Sequence, residues 1–182
     1  DVQGYAGLIS IKRIFKTLDV HPLLQADILN TKKRTAMEKL EDTLFINLSR
    51  LFYAANNRMR KENVSFLMKK NYVITFQNSE RDSFAGVRKR INTFKGRQTK
   101  PDYVLYALID NFVDNYFDVI EKLSANIEKT EKHLLMDDNT IDRPALAALR
   151  HDASLAKYVN CPIKYILSTA AEDRADIFAD DL

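Results

Sequence analysis

The sequence is poor in cysteine, glycine and proline. Cys161 is the only cysteine, so no internal disulfide can form, and a reducing compartment fits the chain. Glycine and proline number four each among 182 residues, which favours long helices over the many short strands of a β-sandwich. Neither sign of charge dominates: 28 lysines and arginines against 25 acids leave a net charge of +3, too small to indicate a nucleic-acid partner.

Long hydrophobic runs are also missing. The longest uninterrupted apolar run is 103–109, whereas a membrane-spanning helix needs about 20 apolar residues. No signal-peptide pattern is present. The chain starts at Asp1-Val-Gln-Gly without an initiator methionine and stops at Ala-Asp-Asp-Leu182. We therefore interpret it as a piece of a longer protein that does not itself cross a bilayer.

The first half of the chain alternates helical and strand patterns. Apolar residues three and four apart predict amphipathic helices, and alternate apolar residues predict strands. The predicted elements are helices over 6–18, 22–30 and 84–95, strands over 44–52, 64–68 and 72–77, and a loop over 54–61. The last two strands are separated only by Lys69-Lys70-Asn71, so we expect them to form a hairpin.

The second half has the pattern of long helices. One helix is predicted over 99–136, with Thr99 as its N-cap, and another over 142–171, with Asp142 as its N-cap. A short polar turn joins them, so we expect the two helices to pack antiparallel. Pro162 falls inside the second helix and should kink it, because proline removes one backbone hydrogen bond and clashes with the preceding turn.

These patterns together predict an α/β fold. We expect a mixed sheet flanked by helices, followed by a long antiparallel helical hairpin. The predicted organisation is an α/β domain over 1–97, two long helices over 98–171 and a linker over 172–182.

Residues suited to catalysis do not cluster. There is no Gly-rich phosphate loop, no nucleophile elbow and no HExxH motif. His21, His133 and His151 are the only histidines. In the predicted hairpin, a turn near 139–140 places His133 opposite about residue 146 and not opposite His151, so we expect solvated or capping roles instead of a zinc site. Cys161, next to Pro162, has no base nearby and is expected to be a small core residue. The sequence therefore predicts no enzyme activity.

One basic stretch contains no acid. It comprises Arg88, Lys89, Arg90, Lys95, Arg97 and Lys100. RNA and anionic membrane surfaces are the partners that such a stretch could serve. No aromatic residue interleaves with it except Phe94, which the helical pattern places inside. A solvated helix face is therefore favoured, and we expect no nucleic-acid partner.

Asp110, Asp114 and Asp118 are four residues apart and form one stripe on the predicted long helix. Each i,i+4 pair of carboxylates costs about 0.2–0.5 kcal/mol. Either the stripe is solvated, or a positive charge lies against it. Mg²⁺ needs only one or two carboxylates because it keeps most of its water, so spacing alone does not decide between these alternatives.

Several short segments, taken together and in their order along the chain, form a recognisable sequence pattern. They are HPL at 21–23 with DILN at 27–30, KNYVITFQ at 70–77, FAGVRKRI at 84–91, PDYVLYALID at 101–110 and VDNYF at 113–117. Together they resemble the CorA family of magnesium and cobalt transporters, and the resemblance covers nearly the whole chain.

The resemblance implies the cytoplasmic part of a homopentameric transporter in the cell (inner) membrane. Its α/β/α sandwich would lack the first strands. The stalk, the membrane helices and the Gly-Met-Asn pore motif would follow Leu182. Mg²⁺ would be both the regulatory and the transported ion, with Co²⁺ as an alternative.

The resemblance also implies site residues. In the family, divalent ions bind between neighbouring cytoplasmic domains and hold the pore shut. Asp27 corresponds to the family's metal carboxylate on the short helix, and Asp110 to an aspartate near the same subunit interface. Ala26 replaces the glutamate that usually precedes Asp27, which weakens any second ion. We therefore expect Asp27 and Asp110 to bind metal, and Asp114 and Asp118 to be solvated.

Two alternatives stay open. A zinc transporter of the ZntB type would share the fold, although no cluster of histidine or cysteine favours zinc. A soluble scaffold or RNA-binding α/β protein would instead use the basic stretch.

Overall fold

The computed structural model describes residues 2–3, 8–79, 83–93, 100–136 and 143–172. The strands are β1 (Val2–Gln3), β2 (Ala36–Leu40), β3 (Thr43–Tyr53), β4 (Met59–Lys69) and β5 (Tyr72–Gln77). The helices are α1 (Leu8–Thr17), α2 (Pro22–Leu29), α3 (Ala85–Thr93), α4 (Pro101–Met136) and α5 (Arg143–Glu172). Each predicted helix and strand is therefore present, with ends shifted by a few residues.

The strands form one mixed sheet in the order β1-β5-β4-β3-β2. β1 runs parallel to β5, and the other neighbours are antiparallel. Lys69 pairs with Tyr72, which confirms the predicted hairpin between β4 and β5. Mixed pairing with helices packed on the sheet confirms the predicted α/β class.

The sequence prediction was wrong for two strand segments. The predicted loop over 54–61 is too long, because β4 already begins at Met59, which pairs with Tyr53 and is buried. The segment is polar because only one face of this part of β4 packs on the core. Its composition therefore resembles that of a loop. The edge strand Ala36–Leu40 was not predicted, because its residues have little β propensity.

Helices cover both faces of the sheet. Phe45 and Ile46 are adjacent on β3 but belong to different cores, because successive side chains of a strand point to opposite faces. One core combines α1 and α2 with one face of the sheet: Ile11, Phe15, Leu24, Ile28, Phe45, Leu67 and Phe76. The other core combines the opposite face with α3, α4 and α5, including Ile46, Val87, Leu108, Phe112, Val159 and Ile163.

The two long helices are in contact and run antiparallel. Ile109 of α4 and Ile163 of α5 line the same small cavity. Further along, Asn126 of α4 and Asp152 of α5 both lie next to Tyr53. Residue numbers thus rise along one helix while they fall along the other, which confirms the predicted antiparallel hairpin.

Cys161 is exposed, so the prediction of a core position was wrong. Val159 and Ile163 are buried against the sheet. A residue two positions from each lies about 200° around the helix and therefore faces away from the core.

Several predicted features lie outside the described residues. These are the N-caps Thr99 and Asp142, the turn over 137–142, the basic residues Lys95 and Arg97, and residues 173–182 of the linker. The kink at Pro162 stays a prediction, as do the boundaries at 97 and 171.

Candidate metal-binding residues

Asp27 lies near the C-terminal end of α2. The helix begins at Pro22, and the Nδ1 atom of His21 caps it by accepting a hydrogen bond from the Leu23 amide at 3.2 Å. Leu24 and Ile28 are buried beneath the helix. Asp27 falls beside this buried face, so its carboxylate remains partly accessible, with 27% of the side chain exposed.

Lys33 supplies a cation to Asp27. Its Nζ donates hydrogen bonds to Asp27 Oδ2 and, at 2.8 Å, to Glu38 Oε1 on β2. The ammonium also lies 5.3 Å from the centre of the Phe45 ring. The backbone is fixed as well, because the Lys33 carbonyl accepts a hydrogen bond from Asn63 Nδ2 at 2.7 Å. Asp27, Lys33 and Glu38 therefore form a cluster of charged side chains that the fold holds in place.

The pKa of Lys33 reflects this cluster. Burial on its own lowers the pKa of the ammonium, but hydrogen bonds from Lys33 to Asp27 and Glu38 outweigh burial, and the net pKa is raised. Lys33 is consequently charged at neutral pH. Any cation that binds Asp27 must compete with this ammonium.

Asp110 lies on α4 and faces α3. Its Oδ2 is 3.7 Å from Arg90 Nη1, and both side chains are 40% exposed. This distance is too long for a hydrogen bond. An exposed ion pair of this kind contributes only about 0–1 kcal/mol, so Arg90 leaves Asp110 available to another cation.

Asp114 and Asp118 are exposed, as expected for a solvated stripe. They line an open cavity of about 180 Å³ together with Arg50 of β3. Arg50 is oriented by a hydrogen bond from its Nη1 to Ser83 Oγ. The stripe is thus solvated and also has positive groups beside it, Arg50 at one end and Arg90 at the other.

The structure does not bring Asp27 and Asp110 together. Asp27 is on α2, which covers one face of the sheet, and Asp110 is on α4, which covers the other. Within the described ranges, no three acidic, histidine or cysteine side chains are placed to share a metal ion. Carboxylate oxygen is the donor that Mg²⁺ prefers, so each aspartate fits the ion as part of a site but does not complete one.

The histidines do not form a zinc site among the described residues. His21 caps α2, while His133 and His151 are exposed on different helices. The capping and solvated roles predicted for them are confirmed.

Sequence reasoning missed Lys33 as the partner of Asp27, and Arg50 as a residue that lines the same cavity as Asp114 and Asp118. Lys33 follows α2 by a few residues, and its approach to Asp27 depends on the turn in which the Lys33 amide donates to the Asn30 carbonyl at 2.9 Å. Arg50 comes from a strand distant in sequence. No local pattern signals either contact.

Comparison with known proteins decides the family. A model of the CorA-like Mg²⁺ transporter proteins matches residues 10–182. The chain belongs to the CorA family. Members of this family are transporters, which confirms the prediction that the chain is not an enzyme.

The CorA relatives are longer than this chain. The cobalt/magnesium transport protein CorA of Thermotoga maritima is 34% identical over 168 residues, which cover 90% of this chain and 47% of that protein. The chain therefore spans about half the length of that curated relative. In the part of the chain that the structure describes, no helix is long and apolar enough to span a membrane.

Two solved structures share the fold. The soluble domain of CorA from Methanocaldococcus jannaschii superposes with a TM-score of 0.62 at 17% identity, over 78% of this chain and 56% of that one. The ZntB cytoplasmic domain from Vibrio parahaemolyticus superposes with a TM-score of 0.71 at 13% identity, over 94% of this chain and 68% of that one. At these identities, the similarity establishes the fold alone.

Proposed function

We propose that this chain is the cytoplasmic regulatory domain of a Mg²⁺/Co²⁺ transporter and senses intracellular Mg²⁺ at subunit interfaces to gate the pore. Membership of the CorA family supports the transporter. The observation that carries the sensing role is the partly exposed carboxylate of Asp27, held at the edge of α2 by Lys33. In this proposal Mg²⁺, or alternatively Co²⁺, is both the ion that regulates the pore and the ion that is transported.

Asp27 is suited to ion-dependent contact between subunits. Lys33 pairs with both Asp27 and Glu38, so one ammonium faces two carboxylates and the cluster keeps a net negative charge within one chain. A hydrated Mg²⁺ that bridges Asp27 to a neighbouring subunit supplies further positive charge. Without the ion, carboxylates from two subunits repel. Bound Mg²⁺ offsets this repulsion and favours the closed assembly, and depletion shifts the population towards the open state.

Asp110 is a second carboxylate for such an interface. It lies on the opposite face of the sheet from Asp27. In a closed ring of subunits, the two aspartates of one subunit therefore face different neighbouring subunits. Its weak pairing with Arg90 leaves the charge accessible. The proposed assembly is a homopentamer anchored in the cell (inner) membrane by segments outside this chain, with this domain on the cytoplasmic side.

The test is Asp27→Asn in the full-length transporter. The amide keeps the shape of the side chain but removes the charge, so Mg²⁺ should protect the assembly from limited proteolysis less well. Asp19→Asn is the matched control, because Asp19 is exposed and its left-handed backbone (φ 47°) tolerates asparagine. Identical protection curves for wild type and Asp27→Asn would rule out Asp27 as a sensing ligand.

The same titration distinguishes the ions. The similarity to a ZntB domain concerns the fold alone and does not favour zinc. We expect protection by Mg²⁺ and Co²⁺. Protection by Zn²⁺ alone would instead support a zinc transporter.

A further inference from the structure

A second charged surface lies far from Asp27 along the chain, where the β3–β4 hairpin meets α5. One open cavity of about 460 Å³ is lined by residues of both elements: Arg58, Met59, Arg60, Lys61, His151 and Leu155. A neighbouring cavity of about 450 Å³ shares His151 and adds Arg143 and Arg150. We call Arg58, Arg60, Lys61, Arg143, Arg150 and His151 the basic surface.

The fold holds the basic surface in place. Tyr53 pairs with Met59, and Asn57 makes the turn between the strands in a left-handed conformation with φ 55°. Lys61 Nζ lies 5.0 Å from the centre of the Tyr158 ring on α5, which ties β4 to the helix. Buried Met59 anchors the hairpin beneath the charges.

The arginines and the lysine of the basic surface form no ion pair with an acid within the described part of the chain. In that part of the chain, Lys33, Lys69 and Arg90 form ion pairs, whereas the residues of the basic surface form none. The neighbouring acid on α5, Asp152, is only 3% exposed and faces the interior beside Tyr53. The nearest acid on β4, Glu62, accepts a hydrogen bond from the Ser79 amide, so no ion pair within the described residues offsets the charge of the basic surface.

We propose that the basic surface binds a phosphate-bearing polyanion. Arg58, Arg60 and Lys61 line one open cavity, and Arg143 and Arg150 line the cavity beside it. The planar guanidinium group of arginine binds phosphate oxygens through paired hydrogen bonds. A cavity of about 460 Å³ falls within the range of about 300–1,000 Å³ that is typical of small-ligand sites. The proposal is independent of Mg²⁺ sensing, because among the described residues Asp27 pairs with Lys33 and Asp110 with Arg90, and neither cation belongs to the basic surface.

The experiment uses the 182-residue chain and two phosphate sources. Calorimetry with tripolyphosphate, free of divalent ions, measures binding of a soluble anion. Sedimentation with phosphatidylcholine vesicles, with and without phosphatidylglycerol, measures binding of lipid phosphate. We expect the chain to bind at least one of these two phosphate sources, and we expect added salt to weaken this binding.

Arg58→Gln combined with Arg60→Gln should reduce the affinity by about tenfold or more, since each close charge pair in water is worth about fivefold. Lys12→Gln combined with Arg13→Gln is the matched control, because it removes two exposed charges from α1 on the opposite face of the sheet. Thermal unfolding of both variants verifies that they fold.

The outcomes separate the sources. Binding to tripolyphosphate alone supports a soluble ligand, and binding to phosphatidylglycerol vesicles alone supports a lipid headgroup. Absence of binding to both, or equal loss in the site and control variants, would overturn the proposal. Neither result bears on Asp27, whose test is the Mg²⁺ titration.

Discussion

Tyr116 places a polar group between α4 and β3. Its hydroxyl donates a hydrogen bond to the Ser49 carbonyl, and the side chain is buried. Tyr116→Phe removes the donor and leaves that carbonyl without it, so we expect a loss of about 1–3 kcal/mol in the free energy of unfolding. Urea denaturation measures the loss. Tyr106→Phe, at an exposed position of the same helix, should change little.

Burial also raises the pKa of the Tyr116 hydroxyl. The neutral form is therefore favoured in the folded state, and its contribution is complete below the unfolded pKa of about 10. Stability should fall as the pH rises above this value. Urea denaturation as a function of pH should show a smaller fall for Tyr116→Phe, and an identical fall would contradict this assignment.

Lys33 should limit the affinity of Asp27 for cations. Lys33→Met removes the competing ammonium, so we expect Mg²⁺ to protect the full-length transporter at a concentration about fivefold lower. Lys32→Met is the control, because Lys32 is exposed and its side chain is not paired with Asp27. A midpoint that is unchanged or higher would show that Lys33 does not compete with the ion.

At the scale of elements, α4 is attached to the sheet through aromatic packing. Phe112 is 2% exposed, and its ring centre lies 5.5 Å from that of Phe66 and 6.0 Å from that of Phe84. Phe112→Ala should lower the free energy of unfolding by about 3–5 kcal/mol, because it removes these contacts and leaves a cavity.

Phe117 provides the comparison on the same helix. It is 62% exposed, so Phe117→Ala should cost little. Urea denaturation of the two variants tests the orientation of α4. Equal losses would mean that α4 does not pack on the sheet through this face.

At the scale of the whole molecule, the charge balance argues against sequence-specific nucleic-acid binding. The net charge is only +3. In the basic stretch that was predicted from the sequence, Arg90 lies beside Asp110. We expect RNA binding no tighter than nonspecific affinities of about 10⁻⁴–10⁻⁶ M, without sequence preference. Fluorescence anisotropy with unrelated RNAs checks this, and sub-micromolar selective binding would contradict it.

Much of the fold could be predicted from local patterns. Apolar spacing located each helix and the central strands, because burial of one face imposes a period on the sequence. The edge strand Ala36–Leu40 escaped because pairing with β3, and not its own composition, makes it a strand. Cys161 was misplaced because its exposure depends on which side of α5 meets the sheet.

The sequence by itself determined the α/β class and the long helical hairpin, and its resemblance to the CorA family named Asp27 and Asp110 as candidate carboxylates. Only the tertiary structure decided what faces those carboxylates, because Lys33 and Arg90 reach them through a turn and through helix packing. The basic surface likewise depends on the meeting of a hairpin and a helix far apart in the chain. Local patterns report which residues are buried, whereas contacts between distant segments require the assembled fold.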